Sequence, residues 1–181
     1  NAAGQYEISN VVAGDYPELF THKPGYDGAV TDPAPVFANT PTVVNPLQIR
    51  RDWASSLAGG RIHSFTGPNN APFCGTGPGG AIDQALFTGW PSDMPAGQRI
   101  IVKLPAYVDV SAIAVDPGAT CGDSNDAALR KYKIEFSKSG TSWSGAFTKA
   151  FANHSKEGTL DTVAISRKAV RYVRLTMLQN W

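Results

Sequence analysis

The stretch from Gly79 to Ser92 places a carboxylate, Asp83, five positions before a hydroxyl, Thr88. A loop of this kind also offers the backbone carbonyls that lie between its two polar side chains. Such oxygens suit Ca²⁺, which takes about six to eight oxygen ligands in a flexible shell. Asp83 and Thr88 are therefore the side-chain candidates for a calcium site.

A second acidic loop contains three carboxylates, Asp116, Asp123 and Asp126. We interpret them as a cation or polar-ligand site, with ordinary turn carboxylates as the alternative. Cys121 lies in this loop and Cys74 in another glycine-rich segment, whereas free thiols are more often buried in apolar elements. The pair predicts one disulfide in an oxidising compartment, with two unpaired thiols as the alternative.

The chain contains residue types that can act in catalysis, but they do not form the sequence motifs of known catalytic sites. The three histidines lack the spacing of a zinc-binding helix, and the glycine-rich stretch 75–80 lacks the lysine of a phosphate-binding loop. No serine lies in a nucleophile elbow, and none of the four glutamates stands in a setting typical of a glycosidase. The sequence therefore predicts a chain that is not an enzyme.

Composition and charge further narrow the possible fold and function classes of the chain. Hydrophobic residues make up 42% of the chain, and the 18 glycines and 13 prolines favour turns over long helices. The chain has 16 basic and 15 acidic residues, and this near-neutral charge gives no electrostatic footprint for nucleic acid or an anionic membrane. No apolar run predicts a transmembrane segment. With the predicted disulfide, these features favour a secreted, extracellular protein.

The strand pattern divides the chain into two predicted parts. Residues 1–49 contain short β-hairpin units and end in a proline-rich linker, whereas residues 50–181 contain longer runs that alternate with period two. At most a short helical turn is expected between Arg50 and Ala58. We predict an all-β fold, an antiparallel sandwich or jelly roll, preceded by a small N-terminal β-segment. The longer runs are Ile100–Leu104, Val108–Val115, Tyr132–Ser137 and Ala169–Met177.

An ordered set of short sequences in residues 50–181 resembles the discoidin family, which comprises coagulation-factor C-type domains and galactose-binding-like β-sandwiches. The set consists of 51–56 (RDWASS), 80–92 (GAIDQALFTGWPS), 101–105 (IVKLP), 110–116 (VSAIAVD), 132–143 (YKIEFSKSGTSW) and 170–176 (VRYVRLT). The resemblance implies the galactose-binding-like jelly roll for this part of the chain.

The resemblance also implies a ligand set. In the family an Ala-x-Asp loop that ends in Thr-x-Trp commonly holds a structural calcium, which corresponds here to Asp83 and Thr88 with carbonyls of Ile82 and Ala85. The family often adds a glutamate near the C-terminus, where this chain has Gln179 or Asn180. By position, the ligand-binding end would contain Arg61, His63, Phe65, Asn69, Asn70 and Phe73.

Residues 11–27 are similar to the later strands of a carboxypeptidase-regulatory-like module. Such a module followed by a discoidin domain is similar to the C-terminal region of secreted actinobacterial metallopeptidases of the fungalysin type. This implies a non-catalytic accessory module that recognises a protein or glycan surface beside a parent peptidase. The alternatives are a carbohydrate-binding module or lectin for galactose-type or other polysaccharides, and a structural domain without a ligand.

Overall fold

The computed structural model describes two compact units, Asn1–Arg51 and Asp52–Trp181. Cys74, Cys121, Asn70 and Phe73 lie outside the described residues. The described residues are 9, 11–16, 20, 21, 23–27, 29, 30, 34–40, 42, 49–69, 77–85, 87–92, 97–120, 122–154 and 158–181.

The first unit contains two short antiparallel pairs. Strand β1 (Gly14–Tyr16) pairs with β4 (Ala34–Val36), and β2 (Phe20–Thr21) pairs with β3 (Ala29–Val30). Pairs of this length are marginal by themselves, so their stability depends on packing within the unit. The expected kinship with a carboxypeptidase-regulatory-like module stays a prediction.

The second unit is built on a five-stranded sheet in the order β5-β6-β9-β7-β8, with antiparallel neighbours throughout. Its helices within the described residues are 3₁₀ turns, one of them Ser56–Ala58 where a short turn is expected, and none is long and apolar enough to cross a bilayer. The all-β fold predicted from the sequence is confirmed. The strands are β5 (Arg61–Phe65), β6 (Arg99–Val115), β7 (Leu129–Ser137), β8 (Ser144–Ala150) and β9 (Asp161–Asn180).

Side chains separate cleanly between the two faces of this sheet. Cross-strand partners point to the same side, so the register defines rows of neighbours that cross several strands. The inward rows are apolar throughout, and the buried members of these rows form the core. These rows are Ile62, Val102, Val173 and Phe136, then Phe65, Ile100, Leu175, Ile134 and Phe147.

Strands β6 and β9 are long because each belongs to both layers of the sandwich. Their first common stretch pairs Arg99–Lys103 with 172–176, and the second pairs Val108–Val115 with 161–170. Several register shifts separate the two stretches. Residues of the second stretch, including Val108 and Val170, pack onto the same core as Ile134, so this two-stranded ribbon lies over the inner face of the sheet.

Just beyond the corner between the two stretches, Asp109 faces Lys168 and Ala169 at a β-bulge in the ribbon. Its carboxylate accepts hydrogen bonds from the Ala169 amide at 3.0 Å and from the Lys168 ammonium at 2.7 Å. Ala169 has a φ of 53°, a left-handed conformation that is strained for a residue with a side chain. The hydrogen bond from Lys168, followed by that from Ala169, lowers the pKa of Asp109. The carboxylate therefore stays ionised and holds the bulge.

Tyr132 is the most buried large side chain of the core, with none of its surface exposed. Its hydroxyl has no hydrogen-bond partner among the described residues. Burial, with a smaller contribution from the charge of Asp161, raises the pKa of Tyr132 from 10.0 to about 12. The side chain therefore acts as a large apolar ring whose hydroxyl contributes no described hydrogen bond.

We expect Tyr132→Phe to keep the free energy of unfolding at pH 7 within about 1 kcal/mol of the parent, because no hydrogen bond is lost. Between pH 10 and about 12 the unfolded chain loses the tyrosine proton first, so the parent loses stability as the pH rises. The variant should lose less over this interval. Urea unfolding at pH 10 and at about pH 12 measures the change in the free energy of unfolding, with the exposed Tyr107→Phe as control. Equal losses of stability in the parent, Tyr132→Phe and Tyr107→Phe would contradict the expectation.

Candidate functional site

The loop predicted to bind calcium is held together by its own oxygens. The Thr88 hydroxyl lies 2.9 and 2.8 Å from the two carboxylate oxygens of Asp83 and 2.8 Å from the Ala85 carbonyl oxygen. The Ala85 amide donates to Asp83 at 2.9 Å. The spacing of five residues thus brings Asp83 and Thr88 together, as expected from the sequence.

This arrangement leaves more oxygens than protons. Four oxygens converge around Thr88, and the single hydroxyl hydrogen can serve only one of its three neighbours at a time. A hard cation would compensate the excess of lone pairs and the carboxylate charge. Gln179 lies in β9 opposite Lys131, and no described hydrogen bond joins its side chain to this loop.

The same loop presents an exposed aromatic ring. Phe87 precedes Thr88 and is 74% exposed, more than any other large aromatic side chain among the described residues of Asp52–Trp181. Trp90, three residues later, is buried, and its indole NH donates to the Pro68 carbonyl at 3.0 Å. The loop is therefore anchored at Trp90 and presents Phe87 to solvent.

The acidic loop lies beside this anchor, because a side chain at Gly89 would collide with Thr120. Its three carboxylates do not converge. Asp116 accepts from the amides of Gly118 at 2.9 Å and Gly158 at 2.7 Å, which is the role of a turn carboxylate. Asp126 lies 3.7 Å from His154, and Asp123 is exposed. Within the described residues, no three His, Cys, Asp or Glu side chains could together hold a metal.

An aromatic and cationic cluster, formed by Trp181, Arg130 and His154, lies at the same end. The guanidinium carbon of Arg130 is 4.7 Å from the Trp181 ring centroid, and the His154 ring is 4.3 Å away. The Trp181 amide donates to Ala128, which follows the acidic loop, at 3.3 Å. The indole NH of Trp181 is buried without a partner among the described residues. The strand ends and both loops thus form one loop-rich end of the sandwich.

The described members of the ligand set predicted by position do not lie together. Phe65 points inward and meets the Trp90 ring edge-on at 5.6 Å, while Asn69 packs against Gly77, where an added side chain would clash. Arg61 lies opposite Lys103 on the outer face of the sheet. His63 sits at a β-bulge, and its ring contacts Tyr172 at 5.1 Å.

The centre of the outer face is an ion-paired network around Glu135. Arg174 binds its carboxylate at 2.7 and 2.9 Å, and Lys133 binds it at 3.0 Å. Arg174 also covers the Trp143 ring at 4.2 Å. Burial alone would raise the pKa of Glu135, but the hydrogen bonds and charges of Lys133 and Arg174 outweigh it and lower the pKa. Glu135 is therefore ionised and paired.

A model of the F5/8 type C domain family matches residues 66–181, which is more than half of the chain. The chain belongs to the F5/8 type C domain family. This confirms the discoidin resemblance of the sequence, while the link to fungalysin-type peptidases stays a prediction. No curated protein matches the chain.

Solved structures show the same fold at low sequence identity. The chain is similar to the Clostridium perfringens module CpGH89CBM32-5 in complex with GalNAc-β-1,3-galactose, with 19% identity, a TM-score of 0.55, and coverage of 68% of this chain and 86% of that one. It is also similar to an F5/8 type C domain from Bacteroides fragilis, with 19% identity, a TM-score of 0.53, and coverage of 67% and 82%. The C-terminal domain of a chitobiase from Bacteroides fragilis gives 20% identity, a TM-score of 0.51, and coverage of 66% and 80%.

Sequence reasoning missed three features of this F5/8 type C domain. Phe87 lies between the two candidate calcium ligands Asp83 and Thr88, and an apolar residue at such a position in a polar loop is the signal for an exposed ring. The contact of His154 with Trp181 joins parts of the chain that no local pattern connects. The pairing of Glu135 with Arg174 depends on the register of β7 and β9.

Replacing Glu135 with Gln should lower the free energy of unfolding at pH 7 by about 2 kcal/mol, because Arg174 and Lys133 lose the charge that they share. The lowered pKa of Glu135 stabilises the fold above the pKa of an unfolded glutamate. The parent should therefore lose this advantage as the pH falls below about 4.5, and the two proteins should converge. Urea unfolding from pH 7 to pH 3 measures the difference, with the exposed Asp126→Asn as control. A constant difference across this range would contradict the expectation.

Proposed function

We propose that this domain is a non-catalytic module that binds a glycan at the loop-rich end of its sandwich. The observation that carries the proposal is Phe87, an exposed aromatic ring on a loop whose backbone is fixed by Asp83 and Thr88. Large exposed aromatic side chains on rigid loops favour binding, because little conformational entropy is lost when a ligand packs on them. Sugar rings present apolar C–H faces that suit such a platform.

Polar groups suited to sugar hydroxyls lie at the same end. The carboxylate of Asp126, the guanidinium of Arg130 and the imidazole of His154 can donate or accept hydrogen bonds from exposed positions. The structural neighbour in complex with GalNAc-β-1,3-galactose supports the choice of a glycan. Recognition of a protein surface, attachment to a secreted metallopeptidase and an extracellular location remain part of the proposal as predictions.

The proposal assigns a structural calcium ion to the Asp83 loop. Asp83, Thr88 and the Ala85 carbonyl supply oxygens whose lone pairs exceed the available protons, and the Ile82 carbonyl and water would complete the shell. The ion would supply charge neutralisation alone. The bound ion would hold the loop around Asp83 and Thr88 in one conformation, so that the Phe87 ring is presented to the ligand in one place.

Adding Ca²⁺ to the metal-stripped protein should raise the free energy of unfolding by about 2.7 kcal/mol at a concentration one hundred times the Kd. Asp83→Asn keeps an oxygen for the Ala85 amide but removes the charge, and should abolish the gain. Thermal unfolding and isothermal titration measure both effects. Asp123→Asn, in the neighbouring acidic loop, is the matched control and should keep the gain. A titration without heat in the parent would remove calcium from the proposal.

Phe87→Ala should weaken binding to a neutral glycan about tenfold, because the ring supplies the stacking surface. The glycan is chosen as the strongest binder from an array of neutral galactose- and N-acetylhexosamine-containing oligosaccharides, and affinity is then measured by titration. Tyr107→Ala is the matched control, since Tyr107 is 66% exposed and lies at the corner of β6. Equal loss in both variants, or no binder on the array, would contradict the proposal.

A further inference from the structure

The outer face of the five-stranded sheet concentrates positive charge. The three outward rows that cross β6 at Arg99, Ile101 and Lys103 contain five cationic side chains and one carboxylate, Glu135. The whole chain has 16 basic and 15 acidic residues, so the rest of it carries 11 against 14. The near-neutral net charge of the chain is thus accompanied by an uneven distribution of positive and negative side chains. The cationic residues of these three rows are Arg61, Arg99, Lys103, Lys133 and Arg174.

The charges of this face are not balanced within the fold. Glu135 is shared by Lys133 and Arg174. Arg61, Arg99 and Lys103, on the adjoining strands β5 and β6, form no salt bridge with a described residue. We call these three residues the cationic strip.

Two members of the cationic strip are direct cross-strand partners, since Arg61 lies opposite Lys103. Like charges in this position destabilise a sheet, because the side chains of opposed residues are close. An anion that lies over both would relieve the repulsion and gain from each charge. Arg99 lies four residues from Lys103 on the same face, about 13 Å along the strand. The cationic strip therefore fits a ligand with several charges along its length.

The surroundings indicate what that ligand is. Hydroxyl groups of Ser64 and Thr176 lie in the outward rows beside the cationic strip. These hydroxyl groups can hydrogen-bond to a sugar. Ile101 is the one aliphatic residue in the rows and is buried, so the described face offers no anchor for a bilayer.

Single-stranded nucleic acid fits the face less well. Such ligands bind through bases stacked on free aromatic rings. Arg174 covers the Trp143 ring, and Tyr172 is already contacted by His63 and Lys103. The face therefore offers charge and hydrogen-bonding groups on a regular sheet surface, with little open ring area.

We propose that the cationic strip Arg61, Lys103 and Arg99 is a second binding surface, which holds an anionic polysaccharide through its sulfate or carboxylate groups. Arg61 and Lys103 together bind one anionic group, and Arg99 binds another farther along the chain. The surface adds to the proposed glycan site at the Phe87 loop and does not require it.

Dextran sulfate is the probe, and uncharged dextran of the same length is its reference. The parent protein should bind dextran sulfate, with a Kd that rises at least about tenfold between 50 and 200 mM NaCl, and should not bind dextran. The double variant Arg61→Gln with Lys103→Gln should weaken binding about tenfold or more. Arg61→Lys with Lys103→Arg keeps the charge and should retain most of the affinity.

The matched control is Arg50→Gln with Arg171→Gln, which removes the same charge from positions outside these outward rows. Equal loss in this control would mean that net charge alone drives binding and would overturn the assignment. Tighter binding to phosphatidylserine-containing vesicles or to an oligothymidine than to dextran sulfate would also overturn it. The same holds if the parent protein does not bind dextran sulfate at 50 mM NaCl. Phe87→Ala should leave dextran sulfate binding unchanged, so failure of this proposal is distinguishable from failure of the loop site. Thermal unfolding establishes that each variant is folded.

Discussion

The sandwich depends on one bend, at which two long strands pass together from the sheet into the covering ribbon. Just beyond that bend, Asp109 holds a β-bulge of the ribbon by binding the Ala169 amide and the Lys168 ammonium. The left-handed Ala169 would be unfavourable in isolation, and its amide is satisfied by this carboxylate. Because the same strands form both layers, the placement of every loop at the far end follows from the direction that the bend gives them.

The two proposed binding surfaces rest on different parts of this architecture. The loop-rich end is formed where strands terminate, so its residues come from distant segments and are positioned by side-chain oxygens and buried anchors such as Trp90. The outer face is positioned by strand register alone. Its chemistry is therefore set by which residue stands opposite which, as Glu135 opposite Arg174 and Arg61 opposite Lys103 show.

The sequence predicted those features that repeat locally. Alternation over Val108–Val115 and Tyr132–Ser137 indicated strands, and the spacing of Asp83 and Thr88 indicated a shared loop. Strand β5 was missed because its bulge places the inward residues Ile62 and Phe65 three positions apart, which breaks the period of two. Strand β8 was missed because Phe147 is its only large apolar residue. The predicted ligand set is divided between separate places for a similar reason. The strand register that places Arg61 and His63 on the outer face cannot be inferred from any local sequence pattern.

The division of the sheet into an apolar inner side and a polar outer side also bears on how such a domain can diversify. Alternate positions within the regular stretches of β6, β7 and β9 contribute to the core, while outward positions without an ion-paired partner make few demands on folding. Residues such as Arg61 or Arg99 can therefore be exchanged for acidic or neutral ones at little cost to the scaffold. One backbone can in this way acquire new surface electrostatics by substitution at alternate positions, without the insertions that remodelled loops require.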